Sequence, residues 1–238
     1  MPDHIQHITS AVIALSLALA SSGLTAAEIR GTVNVQQTGL FSARSDGLKN
    51  FLVSVALYPA EGQTVPRRAP VRHSIVLSSQ IQPMYLAIPR GDRLNFENHN
   101  KVYHELFTHS HSQPLVVQMD REGLGSEKSV TLNDVADLHW FCRIHAKSYL
   151  RIDVVDTPLV RMVQAGESFE FRDLPTGKWR LRIAAPGAET KTLVTEAVTA
   201  PPPLQVQMTV KGFSQGGVGV ASPQAASIEQ LFPSQPGI

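Results

Sequence analysis

A single cysteine, Cys142, stands among 238 residues. A disulfide within the chain is thereby excluded. The thiol is left as an intermolecular bridge, an inert buried group, a nucleophile or a metal ligand. Charge is also in short supply: 17% of residues are charged and the formal net charge is +1. That argues against nucleic acid or an anionic membrane surface as a partner. Sustained helical periodicity is missing. After residue 27 no apolar run approaches the roughly 20 residues of a bilayer-spanning helix, so no membrane span is expected in the mature chain. A core is still within reach, because 42% of residues are hydrophobic.

Residues 1–27 read as an export signal peptide. An apolar run occupies residues 11–20, the small residues Ser21, Ser22 and Gly23 follow, and Thr25-Ala26-Ala27 offers a cleavage point before Glu28. The expected location is the periplasm or another exported compartment, where a lone cysteine needs a reason.

Past the signal, short runs rich in apolar and β-branched residues recur at 51–58, 93–96, 129–132, 138–141 and 150–155. Turn residues such as Gly91-Asp92, Gly123 and Gly125 separate them. Regular short strands of this kind predict an all-β sandwich or barrel. Asp156-Thr157-Pro158 reads as a junction. Beyond it, runs at 168–171, 179–184, 191–198 and 204–210 supply more strands, with Leu174-Pro175-Thr176-Gly177 as a turn. The expected organisation is a signal over 1–27, a first sandwich over 28–156, a small β-sandwich module over 157–212 and a disordered tail over 213–238. The tail is rich in Gly, Ser, Gln, Ala and Pro and lacks the bulky apolar residues needed to offset ordering entropy.

Cys142 has company. Trp140-Phe141-Cys142-Arg143-Ile144-His145 places a Cys and a His three apart where a strand enters a turn. A thiolate and an imidazole at that spacing can hold one ion from one tight loop, and a third ligand must come from elsewhere in the fold. His104 is the best candidate, lying between residues 93–101 and Glu105-Leu106-Phe107-Thr108. A Cys, His, His set with at most a weak axial donor is the pattern of a type 1 copper centre: soft thiolate suits Cu(I), and imidazole suits both oxidation states. His109 and His111 form an H-x-H that could take a second ion or simply be solvated. His139 reads as a packing or surface residue, and Met84 and Met119 as core fillers.

The stretch 29–156 resembles the cupredoxin family, especially the amicyanin- and plastocyanin-like periplasmic proteins, including those named for methylamine utilisation. The resemblance is carried by four pieces in order: Ile81-Gln82-Pro83; residues 88–98, with Gly91-Asp92, Phe96 and Asn98; His104-Glu105-Leu106-Phe107-Thr108; and Phe141-Cys142-Arg143-Ile144-His145-Ala146. It implies a Greek-key β-sandwich holding one copper ion, cycling between Cu(I) and Cu(II), on His104, Cys142 and His145. Two departures stand out. Ser148 occupies the place of the family's axial Met, leaving the Tyr103 carbonyl as a weak axial candidate. Glu105 replaces an Asn that would brace the two ligand loops; its carboxylate would favour Cu(II) or sit protonated. The later module loosely resembles a transthyretin-like or carboxypeptidase-regulatory sandwich through Gly166, Phe169, Phe171, Leu174-Pro175, Gly177 and Trp179, which implies structure or interaction and no chemistry.

These readings favour a periplasmic one-electron carrier, working with redox partner proteins, over an enzyme. A multicopper oxidase needs more than one Cys motif, and a thiolate-bridged two-copper centre needs two cysteines. The alternatives are a copper-binding or copper-delivery protein, and a structural β-protein with a degenerate metal site.

Overall fold

The structure, a computed structural model, describes residues 26–38, 48, 51–60, 62–65, 67–77, 84–108, 115–121, 123, 126–146 and 148–211. Residues 1–25 of the signal, Pro83, His109, His111 and the 213–238 tail lie outside them. The fold is all-β, as the strand pattern implies, with four sheets forming two sandwiches.

The first sandwich packs a three-stranded sheet against a five-stranded one. The strands β3 (Arg72–Leu77), β5 (Arg93–Asn98) and β8 (Glu127–Thr131) form one sheet, with β5 in the middle. The other runs in the order β4 (Met84–Pro89), β10 (Tyr149–Val155), β9 (Ala136–Cys142), β6 (His104–Thr108) and β7 (Leu115–Met119). Alternate residues of each strand point into one core: Ile75 and Leu77, Leu86 and Ile88, Leu94 and Phe96, Leu138, Trp140 and Cys142, Leu150, Ile152 and Val154. A two-residue alternation is what a sheet with one face on this core demands.

The second sandwich departs from the expected order. Its sheets are β12 (Ser168–Leu174), β1 (Ala27–Thr38) and β15 (Leu204–Lys211), and β11 (Val160–Gln164), β2 (Leu52–Pro59), β13 (Gly177–Ala184) and β14 (Lys191–Ala197). So β1 and β2, expected in the first sandwich by the 28–156 boundary, instead complete the module formed by the later strands. β1 runs parallel to β15 from Gly31↔Leu204 to Thr38↔Lys211 and antiparallel to β12. The division at Asp156 does not follow the sheets: residues 72–155 form one sandwich, set between β2 and β11 of the other. The physical reason is burial. Ile29, Val33, Val53, Val55 and Leu57 share a core with Phe169, Phe171, Trp179, Leu181 and Val206. Gly31 is required at this seam, since a Cβ there would lie 2.6 Å from the Leu204 carbonyl oxygen.

The two sandwiches stack through the outer faces of β2 and β11 and of β4 and β10, where Ala56, Tyr85, Ala87, Val155, Val160 and Met162 are buried together. This explains why β2 reads as an uninterrupted apolar run: Val53, Val55 and Leu57 face one core, and Ser54 and Ala56 face the junction. The junction also holds polar groups. Tyr85 Oη donates to Asp153 Oδ2 at 2.7 Å and lies 2.7 Å from Ser54 Oγ. Burial pushes the Asp153 carboxyl upward, opposed by the Tyr85 hydrogen bond and by Arg151, and burial with the Asp153 charge raises Tyr85 so that it keeps its proton.

At the end of the first sandwich remote from Cys142, the Gly91-Asp92 turn clasps the segment entering β3. Asp92, 2% exposed, accepts from Arg68 Nη1 and Nη2 at 3.0 and 2.6 Å and from the Val71 amide at 3.0 Å, and its Oδ2 lies 2.7 Å from His73 Nε2. Burial opposes its ionisation, yet these hydrogen bonds outweigh that cost and hold its carboxyl below the usual range.

A chain ending at Asp156 should leave β1 and β2 with uncovered apolar faces. Residues 28–156 alone are expected to bind a hydrophobic dye such as ANS more strongly than 67–156, which uncovers only the smaller junction face of Tyr85, Ala87 and Val155; equal dye binding by the two would contradict the shared core. For Asp92, a depressed carboxyl contributes stability that is complete above its unfolded pKa and fades as pH falls through the folded one. Asp92→Asn should therefore cost about 2–3 kcal/mol at pH 7, somewhat less than breaking a fully buried pair. In urea unfolding, the gap to wild type should narrow below about pH 4.

Candidate metal centre

The centre is built from a strand start, a strand end and a turn. β6 and β9 are antiparallel neighbours paired Leu106↔Cys142, Phe107↔Phe141 and Thr108↔Trp140. The start of β6 therefore meets the end of β9. His104 shares its strand face with Leu106, and Cys142 lies directly across from Leu106, so both side chains enter the same core. The chain then turns after Cys142, where the Ser148 amide donates to the His145 carbonyl at 2.9 Å, and the His145 imidazole comes back over the thiol.

The three residues singled out by the sequence converge. Cys142 Sγ lies 3.6 Å from His104 Nδ1 and 3.5 Å from His145 Nδ1, and the three donor atoms lie within 4.8 Å of one another. The imidazole rings are 4.5 Å apart, tilted by 31°. His104 and Cys142 are 1% and 5% exposed, whereas His145 is half-buried. Burial, with a smaller contribution from His145, pushes the His104 imidazole down to about 4. It is thus neutral at pH 7, with a lone pair free for a ligand bond.

These donors fit a metal ion. Three donors each about 2.0–2.3 Å from a common centre and spread at 120° lie about 3.5–4 Å apart, which matches the two sulfur–nitrogen edges. One soft thiolate and two imidazoles in a buried site suit copper. Met119 is the cross-strand partner of His104 and 2% exposed, and it belongs to the same apolar core as Cys142, in keeping with a core-filling role. Ser148 is 1% exposed at the close of the turn. Glu105 alternates onto the outer face and pairs with Arg143 at 2.8 Å. It is neither unpartnered nor turned with His104 into the core.

Sequence reasoning missed the scaffold behind His104. Asn98 Nδ2 donates to the carbonyls of Val102 and Asp120 at 2.8 and 2.7 Å, while its Oδ1 accepts from the Asn100 amide at 3.1 Å. Asn100 Oδ1 accepts from the Val102 amide at 3.0 Å, and its carboxamide nitrogen lies 3.0 Å from His104 Nε2. The loop before His104 is thus folded around two asparagine side chains. The signal was present as Asn98-His99-Asn100, since Asn carries both donors and acceptors for local backbone groups. His139 is the surface residue expected of it, with Nδ1 2.7 Å from Tyr149 Oη.

No family model and no curated protein matches the chain. Among solved structures, it is similar to a point mutant of amicyanin with Cu(I), at 12% identity over 35% of this chain and 82% of that one, with a TM-score of 0.30. It is similar also to an oxidized point mutant of amicyanin, at 13% identity over 43% and 98%, with a TM-score of 0.29. A novel purple cupredoxin from Nitrosopumilus maritimus matches at 16% identity over 30% and 77%, with a TM-score of 0.24. The converging donors, not these likenesses, carry the chemical meaning.

Asn98→Ala removes hydrogen bonds to three backbone groups. It should destabilise the protein by about 2 kcal/mol, since partners left unsatisfied cost about 1–3 kcal/mol each when buried, and weaken metal binding through His104. Urea unfolding and a competitive Cu(I) chelator titration check the two effects separately.

Proposed function

We propose that this protein is an exported type 1 copper protein that passes single electrons between redox partner proteins. The observation that carries this reading is the buried triangle of Cys142 Sγ with the Nδ1 atoms of His104 and His145. Bound copper would supply a one-electron Cu(II)/Cu(I) couple. The chain's part is to hold the donors still: His104 by its asparagine-bound loop, Cys142 by its place in β9, and His145 by the turn that ends at Ser148. A site whose donors are fixed by a β-scaffold changes oxidation state with little rearrangement, which favours electron transfer over substrate chemistry.

The surroundings support the same reading. His145 is the most exposed of the three donors, and Ile144 beside it is 54% exposed, so an electron partner can reach this edge of the site. Among the described residues no helix is long and apolar enough to cross a membrane, in keeping with a carrier that meets partners in an exported compartment. A copper-delivery role would call for an ion that leaves easily; the burial of His104 and Cys142 argues for one that stays.

Copper-loaded protein should show one copper per chain and an intense visible thiolate-to-Cu(II) band that Cys142→Ser abolishes. Copper bound without that band would replace this reading with delivery, and no copper bound would replace it with a structural role. Ser148 stands where the resemblance implies an axial Met, and its short neutral hydroxyl would be a poor donor to copper, so the site should behave as three-coordinate. Introducing a thioether with Ser148→Met stabilises Cu(II) more than Cu(I) and should lower the reduction potential, with about 59 mV for each tenfold change in the equilibrium constant. A rise would instead indicate an oxygen donor already at the metal.

A further inference from the structure

His104 and Cys142 are each followed by a charged residue, and those two residues meet. Glu105 Oε1 lies 2.8 Å from Arg143 Nε. The Arg143 amide donates to the Glu105 carbonyl at 2.9 Å, and the Arg143 guanidinium lies 5.3 Å from the centre of the Phe107 ring. An ion pair, a backbone hydrogen bond and a cation–π contact therefore join the strand that opens on His104 to the turn that carries Cys142 and His145. The side chains of Arg143 and Glu105 are 61% and 28% exposed, so the join lies at the surface, directly outside the donors.

We propose that Glu105 and Arg143 are positioning residues that lock the two ligand loops together and balance the charge beside the site. This rests on the copper reading above. Glu105 stands where the resemblance implies a bracing asparagine, and with Arg143 it does the bracing with charge. An exposed ion pair contributes little to global stability; its effect here is local, on how often the turn after Cys142 parts from β6. Each partner also acts on the ion through space. A carboxylate favours the more positive oxidised form and a guanidinium the less positive reduced form, and in the intact pair the two largely cancel.

The lock is tested on the metal-free full chain by the rate at which iodoacetamide alkylates Cys142, whose thiol is reached only when the loops open. Glu105→Gln and Arg143→Gln should each react about two- to fivefold faster than wild type, the range set by the energy of exposed pairs. Their melting temperatures should stay within about 4 °C of wild type. The exchanged pair, Glu105→Arg with Arg143→Glu, should return the rate toward wild type. Single variants that react at the wild-type rate, or an exchanged pair as fast as the singles, would overturn the proposal. In the copper-loaded protein Glu105→Gln should raise the reduction potential and Arg143→Gln lower it; shifts of one sign, or none, would refute the charge balance. A wild-type protein without the visible band would defeat the copper reading alone, and the alkylation rates would still decide the lock.

Discussion

The pairing of Leu106 with Cys142 across β6 and β9 is the contact on which the rest of the centre depends. It is one register pair, yet it fixes three things together. It aims the thiol into the core, since a slip by one residue would turn Cys142 outward. It sets His104, two residues before Leu106, on the same face and at the end where the Cys142 strand finishes. It brings Glu105 and Arg143 opposite each other on the outside. The core behind it resists slippage: Trp140 and Phe96 pack with ring centroids 5.1 Å apart, and Leu106 is fully buried.

Much of this was legible because it is local. The passage from strand to turn at Phe141-Cys142-Arg143-Ile144-His145 can be read from residue types alone, and a lone cysteine three residues from a histidine can hold one ion from a single tight loop. His104 was reached through the ordered pieces around it. The interpretation of Glu105 was only half available: a carboxylate after a ligand is visible in the sequence, but its partner lies 38 positions away, and only the β6–β9 register joins them. The same limit hid His73, which carries no motif and yet lies against Asp92 beneath the clasp on the opposite end.

What sequence pattern could not supply was the membership of β1 and β2. Their apolar residues announce strands but not partners, and β2 in particular, buried on both faces, has no polar side to mark which sheet it joins. The pairing of β1 with β15 links residues such as Val33 and Val206 across 173 positions of the chain. Adjacent elements usually neighbour each other in space, so reading the chain in order assigns the first strands to the first sandwich. The core around Trp179 and Phe171 shows why the chain does otherwise: without Ile29, Val33, Val53 and Leu57 it would be open on one side.

The parallel seam between β1 and β15 also determines how the molecule carries mechanical load. Tension applied at the start of β1 and the end of β15 pulls the two strands along their shared axis, so the ladder from Gly31↔Leu204 to Thr38↔Lys211 is loaded in shear, with its hydrogen bonds strained together instead of one by one. The sandwich that carries the donor triangle hangs from β2 and β11, off this load path. A pull at these two points is borne by the second sandwich first, and the donor triangle of His104, Cys142 and His145 stays slack until that seam gives way.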